Sequence, residues 1–199
     1  MGLTINYLEG QTPLDDDECE GLKINSITTR EELDELEDLN IQQAQKWLIK
    51  KRKFTAEEVL SEDFVRTLHK RMYGDVWDWA GRFRKTEKNI GVPFYQIREK
   101  LHILLEDATV WINQKAYLPD EIAIRVKHRI VAIHCFPNGN GRHSRMMGDI
   151  LTEKVFGREP FTWGNGNLVK DGDPRRAYLN ALKAADNGDI APLLAFARS

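Results

Sequence analysis

The twelve-residue segment HCFPNGNGRHSR combines a titratable imidazole, His134, with two glycines and two arginines. Gly139 and Gly141 carry no Cβ, so the backbone there can take positive φ and turn several N–H groups towards an anion. Arg142 and Arg145 lie on one face of the first turn if a helix starts here, and both guanidinium groups then reach the same anion. The pattern predicts a phosphate site at a helix N-terminus, with His134 as the general base for an incoming hydroxyl.

Each of these features has a plainer explanation when it stands alone. A histidine at the end of an apolar helix is more often a structural residue, glycines often cap helices, and paired arginines are often solvated. Their coincidence within one turn of His134 favours the functional interpretation. His143, between the two arginines, is interpreted as solvent-facing, and no chemistry is assigned to the other histidines.

Two helices are expected to position the segment. The preceding one has an apolar stripe of Ile122, Val126, Ile130 and Ile133 at helical spacing, and Asp120 is its predicted N-cap. The following one is marked by five apolar residues: Met146, Met147, Ile150, Leu151 and Val155. The order helix, tight loop, helix brings His134 to the edge of the predicted anion nest.

The rest of the chain predicts more helices. Thr29 and Thr55 begin capping boxes, Ser61 caps a helix that Gly74 ends, and Pro119 follows a helix that starts near Ile97. Two short closing helices are expected at Asp173-Pro174 and at Asp189, and Trp77 and Trp79 are expected in the core. Residues 82–92 are polar with turn formers, which favours an exposed hairpin. The predicted class is all-α, a bundle of about seven or eight helices with one small β-hairpin.

Composition narrows the function classes. The 199 residues, 41% of them hydrophobic, suffice for one domain, and the net charge of -2 disfavours nucleic acid and anionic membranes as partners. Cys19 and Cys135 form no CxxC pair, which argues against a disulfide framework or a zinc cluster. The sequence shows neither a signal-like start nor an apolar run long enough for a membrane span, so a cytoplasmic location is expected.

The segment from His134 to Arg145 resembles the core motif of the Fic (Fido) family, His-x-Phe-x-acid-Gly-Asn-Gly-Arg-x-x-Arg, and differs only at Asn138. The stretch LHKRMYGDVW, the following WAG and the later NIG resemble the bacterial Fic subgroup called mobile mystery protein B. The resemblance implies a protein adenylyltransferase (AMPylator), in which His134 deprotonates a Tyr, Thr or Ser hydroxyl of a target protein that attacks the α-phosphate of ATP.

The resemblance also implies roles for the other motif residues. Phe136 would anchor the loop in the core. The backbone of Gly139, Asn140 and Gly141 would form the anion hole. Arg142 and Arg145 would hold the β- and γ-phosphates. A flap containing Asn89, Ile90, Gly91 and Val92 would align the target as an added strand. Gly141 favours nucleotidyl transfer, because the Doc-type kinases of the same superfold carry lysine there.

Asn138 stands where the family places the acid that holds Mg²⁺. An amide oxygen is a weaker ligand for this hard cation. An alternative is therefore a weak or non-catalytic nucleotide-binding module. A further alternative is an interaction protein of a mobile genetic element that acts on DNA, which the charge balance disfavours.

The resemblance extends to an inhibitory helix whose glutamate pairs with the last motif arginine. Residues 1–28 are predicted to be an N-terminal arm with one short helix, followed by the Fic domain over residues 29–199. Glu20 in this arm is the predicted inhibitory partner of Arg145, and Glu37 on the next helix is the reserve candidate. A homo-oligomer is an open alternative to a monomer.

Overall fold

The computed structural model describes residues 12–24, 26–51, 53–166, 168 and 172–199. Within these residues the chain forms nine α-helices, two of them single turns: α1 (Asp16–Cys19), α2 (Arg30–Lys50), α3 (Ala56–Val59), α4 (Glu62–Tyr73), α5 (Ile97–Gln114), α6 (Pro119–Ile133), α7 (Asn140–Ile150), α8 (Asp173–Asp186) and α9 (Ala191–Arg198). A π-helical turn, Leu151–Val155, extends α7, and 3₁₀ turns lie at Phe94–Gln96 and Trp163–Asn165.

The predicted all-α class is confirmed, but the predicted hairpin is wrong. Residues 82–92 are all described and form no strand; across the described chain, strand pairing is limited to an isolated antiparallel bridge between Leu22 and Trp77. The reason lies in where this segment makes its backbone hydrogen bonds. Val92 N–H donates to the carbonyl of Ile133 at 3.3 Å and Arg84 N–H donates to that of Cys135 at 3.0 Å, so the segment is fastened to the end of α6.

Helices α2, α3 and α4 begin at their predicted caps, whereas the N-caps of the two closing helices are Gly172 and Ile190 and not the predicted Asp173 and Asp189. The Thr29 hydroxyl accepts from Glu32 N–H at 3.2 Å while the Glu32 carboxylate accepts from Thr29 N–H at 3.1 Å, a complete capping box. The side chains of Thr55 and Ser61 likewise accept from the third residues of α3 and α4. The cap predicted for α6 is wrong.

Leu118, and not Asp120, is the N-cap of α6, because Pro119 takes the first helical position. Asp120 instead forms ion pairs with Arg158 at 2.8 Å and Arg198 at 2.9 Å, which tie the start of α6 to the C-terminal helix.

Helix α6 lies at the centre and packs against α5, α7 and α9. Its stripe residues Ile122, Val126 and Ile130 are at most 2% exposed, as the spacing predicts. Trp77 and Trp79 are also in the core, as expected, with ring centroids 4.9 Å apart.

Helix α2 buries a mixed face. Leu33, Ala44 and Leu48 are apolar, but Glu37 and Asn40 lie among them and are 3% and 5% exposed. Asn40 donates to the carbonyl of Arg71 and accepts from Asp75 N–H, both at 2.9 Å, so it fixes α2 to the end of α4. Among the described helices, none has the length and apolar content that crossing a bilayer requires.

Candidate active site

His134 ends helix α6 in the left-handed conformation, with φ 58°. A non-glycine residue held there costs of order 1–3 kcal/mol, and such residues cluster at functional sites. The side chain is nearly buried, and its Nε2 lies 2.9 Å from the hydroxyl oxygen of Thr12. Burial, and to a smaller extent the nearby Arg84 guanidinium, lower the pKa of His134 to about 4. The imidazole is therefore neutral at pH 7 and can accept a proton.

The loop after His134 is closed by the side chain of Asn140. Its Oδ1 accepts from Phe136 N–H at 2.9 Å and its Nδ2 donates to the Phe136 carbonyl at 2.7 Å. Asn140 is 2% exposed, so only its backbone N–H is left for a ligand. The Phe136 ring is fully buried and stacks on His69 with centroids 3.7 Å apart, consistent with its expected anchoring position.

His69 positions the loop, and sequence reasoning had assigned it no role. Its Nδ1 accepts from Gly81 N–H at 3.1 Å, so in the neutral ring Nε2 carries the proton and donates to the carbonyl of Asn138 at 3.0 Å. Burial lowers the pKa of His69 well below its usual value, so the ring is neutral, and the Gly81 contact fixes its tautomer. The signal in the sequence was its spacing from Val65 and Met72, four and three residues away on one face of α4.

Three backbone amides at the start of α7 are available to an anion. The first intrahelical bond runs from His143 N–H to the Gly139 carbonyl at 2.9 Å, so the N–H groups of Asn140, Gly141 and Arg142 have no helical acceptor. The Gly139 N–H, by contrast, donates to Asn138 Oδ1 at 2.6 Å. The nest therefore lies one residue later than the predicted 139–141.

The two motif glycines serve different purposes. Gly139 has φ 76°, and a Cβ there would lie 2.5 Å from the ring of Tyr73, so the fold itself demands glycine. A Cβ at Gly141 would meet nothing nearer than the Arg145 guanidinium at 3.9 Å. The absence of a side chain at Gly141 thus leaves space that the protein does not fill.

The two motif arginines differ in their partners. Arg142 is paired with Glu37, whose Oε2 lies 2.5 Å from the guanidinium, and it also packs over the ring of Tyr73. Arg145 packs over the ring of Tyr178 at 5.4 Å and forms no ion pair with any described carboxylate. Of the two motif arginines, Arg145 is accordingly the one whose charge is available to bind a phosphate.

Glu20, the predicted partner of Arg145, is exposed at the end of α1 and makes no ion pair with it. The arm is instead held through Pro13, Asp15 and Glu18. The carboxylate that reaches a motif arginine is the reserve candidate Glu37, and it reaches Arg142.

Asn138 does not offer a metal ligand. Its Oδ1 accepts from Gly139 N–H and its Nδ2 donates to the Thr12 carbonyl at 3.2 Å, so both ends of the amide are engaged. Magnesium sites use one or two carboxylates with substrate phosphates. In the described part of the chain no three acidic, histidine or cysteine side chains cluster as metal ligands would. The residues present do not fit a resident Mg²⁺.

These groups surround one cavity of about 300 Å³, near the lower end of the range for small-molecule sites. His134, Gly141 and both motif arginines line it. Helix α8, which sequence reasoning left without a role, also lines the cavity, through residues that include Tyr178, Leu179, Leu182 and Lys183. The cavity thus combines groups that can bind an anion with apolar side chains.

The predicted flap lies against His134. Gly91 has φ 108°, and a Cβ there would be 2.6 Å from Cβ of His134, so the two backbones are in close approach. Ile90 is 40% exposed and lines the cavity, whereas Val92 packs on the core. Asn89 precedes Ile90 in the flap.

Arg84 fastens this flap to the catalytic loop. Its buried guanidinium donates to the carbonyls of His134 at 2.7 Å, of Thr86 at 2.9 Å and of Val92. No short motif marked Arg84, because its acceptors are backbone carbonyls distant in sequence.

The N-terminal segment lies on the same flap. The Thr86 hydroxyl donates to Asp15 at 2.6 Å, and Lys88 donates to Glu18 at 2.5 Å and to the Pro13 carbonyl at 3.2 Å. The short helix expected between Pro13 and Glu20 is present as α1. The segment before α1 thereby brings Thr12 onto His134.

His143 was expected to face solvent, and this is wrong. It is fully buried, and its Nε2 lies 3.0 Å from the Val65 carbonyl. Helix α7 packs on α4, so the side of α7 away from the cavity is interior.

Comparison with known proteins agrees with this geometry. A model of the Fic/DOC family matches residues 59–152. Among curated proteins, the chain is similar to the protein adenylyltransferase Fic of Aedes aegypti, 29% identical over 136 residues that cover 66% of this chain and 26% of the relative. The chain spans about a quarter of the length of the curated relatives it matches.

Solved structures show the same fold. Fic-1 from C. elegans has a TM-score of 0.61 at 22% identity, covering 90% of this chain and 51% of that one. The BepC protein of Bartonella tribocorum, solved with bound AMPPNP, has a TM-score of 0.63 at 18% identity, covering 96% and 93%. The match to the Fic/DOC family model includes the segment that carries His134, the glycines and both motif arginines.

Proposed function

We propose that this protein is a protein adenylyltransferase that transfers AMP from ATP to a hydroxyl of a protein. One observation carries the proposal: a neutral His134 has its Nε2 2.9 Å from a hydroxyl, at a cavity lined by the open start of α7 and by Arg145. The curated relatives that the chain resembles are named as protein adenylyltransferases, which supports the assignment.

Each group has a defined task in this reaction. His134 accepts the proton of the target hydroxyl while the oxygen attacks the α-phosphorus and the bond to the bridging oxygen of pyrophosphate breaks. The amides of Asn140, Gly141 and Arg142 stabilise charge on the phosphate oxygens, and Arg145 binds the leaving pyrophosphate. The side chains of Tyr178, Leu179 and Leu182, on α8, receive the base of the nucleotide.

A second candidate is a nucleotide-binding module with little transferase activity. The engaged amide of Asn138 favours it, because the motif position where the family places an acid carries no carboxylate here. In the adenylyltransferase proposal, Mg²⁺ enters with ATP as its counter-ion and the protein contributes the positive charge of its arginines.

The proposal includes inhibition by the chain's own N-terminal segment. Thr12 occupies the position of an incoming hydroxyl, and its carbonyl accepts from Asn138. Glu37 neutralises Arg142. A target protein must displace Thr12 from His134. The phosphates of ATP must compete with Glu37 for the Arg142 guanidinium.

Parallel incubations with ATP labelled at the α- or the γ-phosphate test the function. Adenylyl transfer places only the α-label on protein, whereas phosphate transfer places only the γ-label. Cell lysate supplies candidate targets. His134→Ala should lower transfer by about 10²–10⁴-fold while ATP binding, measured by calorimetry, is retained.

His102→Ala is the matched control, because this histidine is exposed on α5, pairs with Glu106 and is not among the residues that line the cavity. Bound ATP without transferred label would favour the binding module. Label that persists in His134→Ala would refute the assigned base.

A further inference from the structure

Helix α2 contributes a further arginine, Arg30, to the cavity of the candidate active site. Arg30 is the first residue of α2, and it lines the same cavity as Arg142 and Arg145. Its side chain is 23% exposed, so it is partly shielded from water but still accessible to a ligand. Neither proton transfer to His134 nor the amides at the start of α7 require this residue. Its charge in the cavity therefore needs a separate explanation.

The face of α2 that carries Arg30 is the one that meets Arg142. Arg30, Asp34 and Glu37 follow at intervals of four and three residues, so they share this face. Burial lowers the pKa of Arg142, but the negative charges of Glu37 and, less strongly, Asp34 raise it above its usual value. Asp34 also accepts from Nε of Arg30 at 2.8 Å. Arg30 consequently lies on the Arg142 side of the cavity.

Helix stability does not explain an arginine at this position. The N-terminal end of a helix carries a partial positive charge, which favours the acidic Glu31 and Glu32 in the first turn and disfavours Arg30. An ion pair four residues apart stabilises a helix more when the acidic residue comes first, whereas here the arginine precedes Asp34. Two local preferences thus oppose Arg30. A residue that breaks local rules in a cavity is expected to serve that cavity.

The contact with Asp34 leaves donors of Arg30 available for a ligand. A guanidinium group has several N–H donors in one plane. Within the described part of the chain, Arg30 uses its Nε–H for Asp34. The carboxylate therefore orients the plane, while the two terminal nitrogens keep the forked geometry that matches phosphate oxygens. Asp34 acts as a positioning residue for Arg30.

A triphosphate in this cavity needs more positive charge than the motif supplies. Glu37 already pairs with Arg142, so Arg145 is the motif arginine whose charge is available. Asn138 stands at the motif position where an acid would hold a cation on the phosphates. Arg30 supplies an additional positive charge on the side where the motif arginine is neutralised.

The direction of the reaction indicates which phosphates Arg30 meets. In phosphoryl-type transfer the attacking and leaving oxygens lie roughly in line, on opposite sides of the phosphorus. His134, with the Thr12 hydroxyl at its Nε2, marks the side of attack. The arginine side chains are then left for the side from which pyrophosphate departs.

We propose that Arg30 is a third phosphate-binding arginine of this site and contacts the pyrophosphate portion of the bound nucleotide. It donates hydrogen bonds to β- and γ-phosphate oxygens in the bound state. It also stabilises the charge that builds up there as the bond between the α-phosphorus and the bridging oxygen breaks. This inference rests on the proposed function.

Calorimetric titration of the full chain with ATP, AMP and inorganic pyrophosphate, each with Mg²⁺, tests the contact. Arg30→Gln should raise the dissociation constants of ATP and pyrophosphate by roughly tenfold. The dissociation constant of AMP should not change, because AMP lacks the phosphates that Arg30 binds. Arg30→Lys should restore part of the ATP affinity, since lysine keeps the charge without the fork. Unchanged ATP affinity in Arg30→Gln, or an equal loss for AMP, would overturn the proposal.

Arg125→Gln is the matched control. Arg125 lies on α6, pairs with Glu121 four residues away at 2.7 Å, is 29% exposed and is not among the residues that line the cavity. Its replacement should leave the affinity for all three ligands unchanged. A loss in Arg125→Gln as large as in Arg30→Gln would show a general charge effect and contradict a specific contact. Thermal unfolding of each variant verifies that it is folded.

Binding and transfer are measured separately, so the failure of this inference differs from the failure of the proposed function. Transfer of α-label to protein, with ATP affinity unchanged in Arg30→Gln, would refute the Arg30 contact and leave the adenylyltransferase intact. Weaker ATP and pyrophosphate binding in Arg30→Gln, in a protein that transfers no label, would support the contact and refute the transferase. A chain that binds neither ATP nor pyrophosphate would refute both.

Discussion

Glu37 and Arg142 form a buried ion pair between α2 and α7. Oε2 of Glu37 lies 2.5 Å from the Arg142 guanidinium, and Oε1 accepts from the indole N–H of Trp77 at 2.6 Å. Burial alone would lower the pKa of Arg142, but Glu37 raises it above its usual value, so the arginine stays charged. The pair fixes the Arg142 guanidinium in place. Glu37 also neutralises part of the positive charge that would otherwise attract a phosphate.

Glu37→Gln should therefore strengthen ATP binding and weaken the fold. Removing one partner of a buried pair costs about 3–5 kcal/mol, and the isosteric amide should fall at the low end because it still accepts from Trp77. Calorimetry with ATP and denaturant unfolding measure the two effects. Glu35→Gln, at an exposed position on the same helix, is the control. Unchanged ATP affinity in Glu37→Gln would mean that the pair is structural only.

The two motif glycines should separate stability from binding. Gly141→Ala meets no close contact and should stabilise the fold by up to about 0.5–1 kcal/mol, yet it should weaken ATP binding because the methyl group enters the phosphate space. Gly139→Ala should destabilise by about 1–3 kcal/mol because of its positive φ and the Tyr73 contact. Denaturant unfolding and ATP titration of both variants provide the check. Undiminished ATP affinity in a stable Gly141→Ala protein would place the nucleotide elsewhere.

Arg145→Gln should lower ATP affinity with little effect on folding. A hydrogen bond to a charged group contributes about 1.5–3 kcal/mol, so the dissociation constant should rise by roughly 10- to 150-fold. Arg129→Gln removes an arginine that pairs with Asp107 on α5 and should leave binding unchanged. Equal losses in the two variants would indicate a general charge effect rather than a phosphate contact.

His143 should make the protein less stable in mild acid. Burial lowers its pKa to about 4 from the ordinary 6.5, so as pH falls below 6.5 the unfolded chain binds a proton that the folded chain does not. Stability from this group is complete above pH 6.5 and falls down to about pH 4, by at most about 1.4 kcal/mol per pH unit. Denaturant unfolding at several pH values measures the slope.

His143→Gln should flatten that slope by about one proton, leaving the contributions of His134 and His69. His102→Gln, at an exposed position on α5, is the control for replacing a histidine with glutamine. A slope that is the same in His143→Gln would contradict the assignment of the buried proton to His143.

Arg84→Lys should impair catalysis more than binding. Lysine keeps the charge but loses the planar fork that joins the carbonyls of His134, Thr86 and Val92. We expect a lower kcat for adenylyl transfer, with the KM for ATP nearly unchanged because Arg84 does not reach the phosphate end. Arg82→Lys, which is exposed nearby, is the control. A rise in KM alone would show that the flap positions nucleotide and not the base.

Local sequence accounted for most of the helical framework. Thr29, Thr55 and Ser61 cap the helices that their spacing predicted, because a cap needs partners only three residues away. Gly74 likewise ends α4. Asp120 was misassigned because Pro119 prefers the first helical position, and the hairpin failed because residues 82–92 bond to α6 and not to each other.

What the sequence determined by itself is the set of reactive groups in the His134 to Arg145 loop, since the order and spacing of its imidazole, glycines and arginines are fixed along the chain. What only the tertiary structure decided is which distant groups meet that loop. Thr12 reaches His134 across 122 positions and Glu37 reaches Arg142 across 105. A buried polar side chain takes whichever partner packing brings within hydrogen-bond distance, and no local pattern encodes that choice.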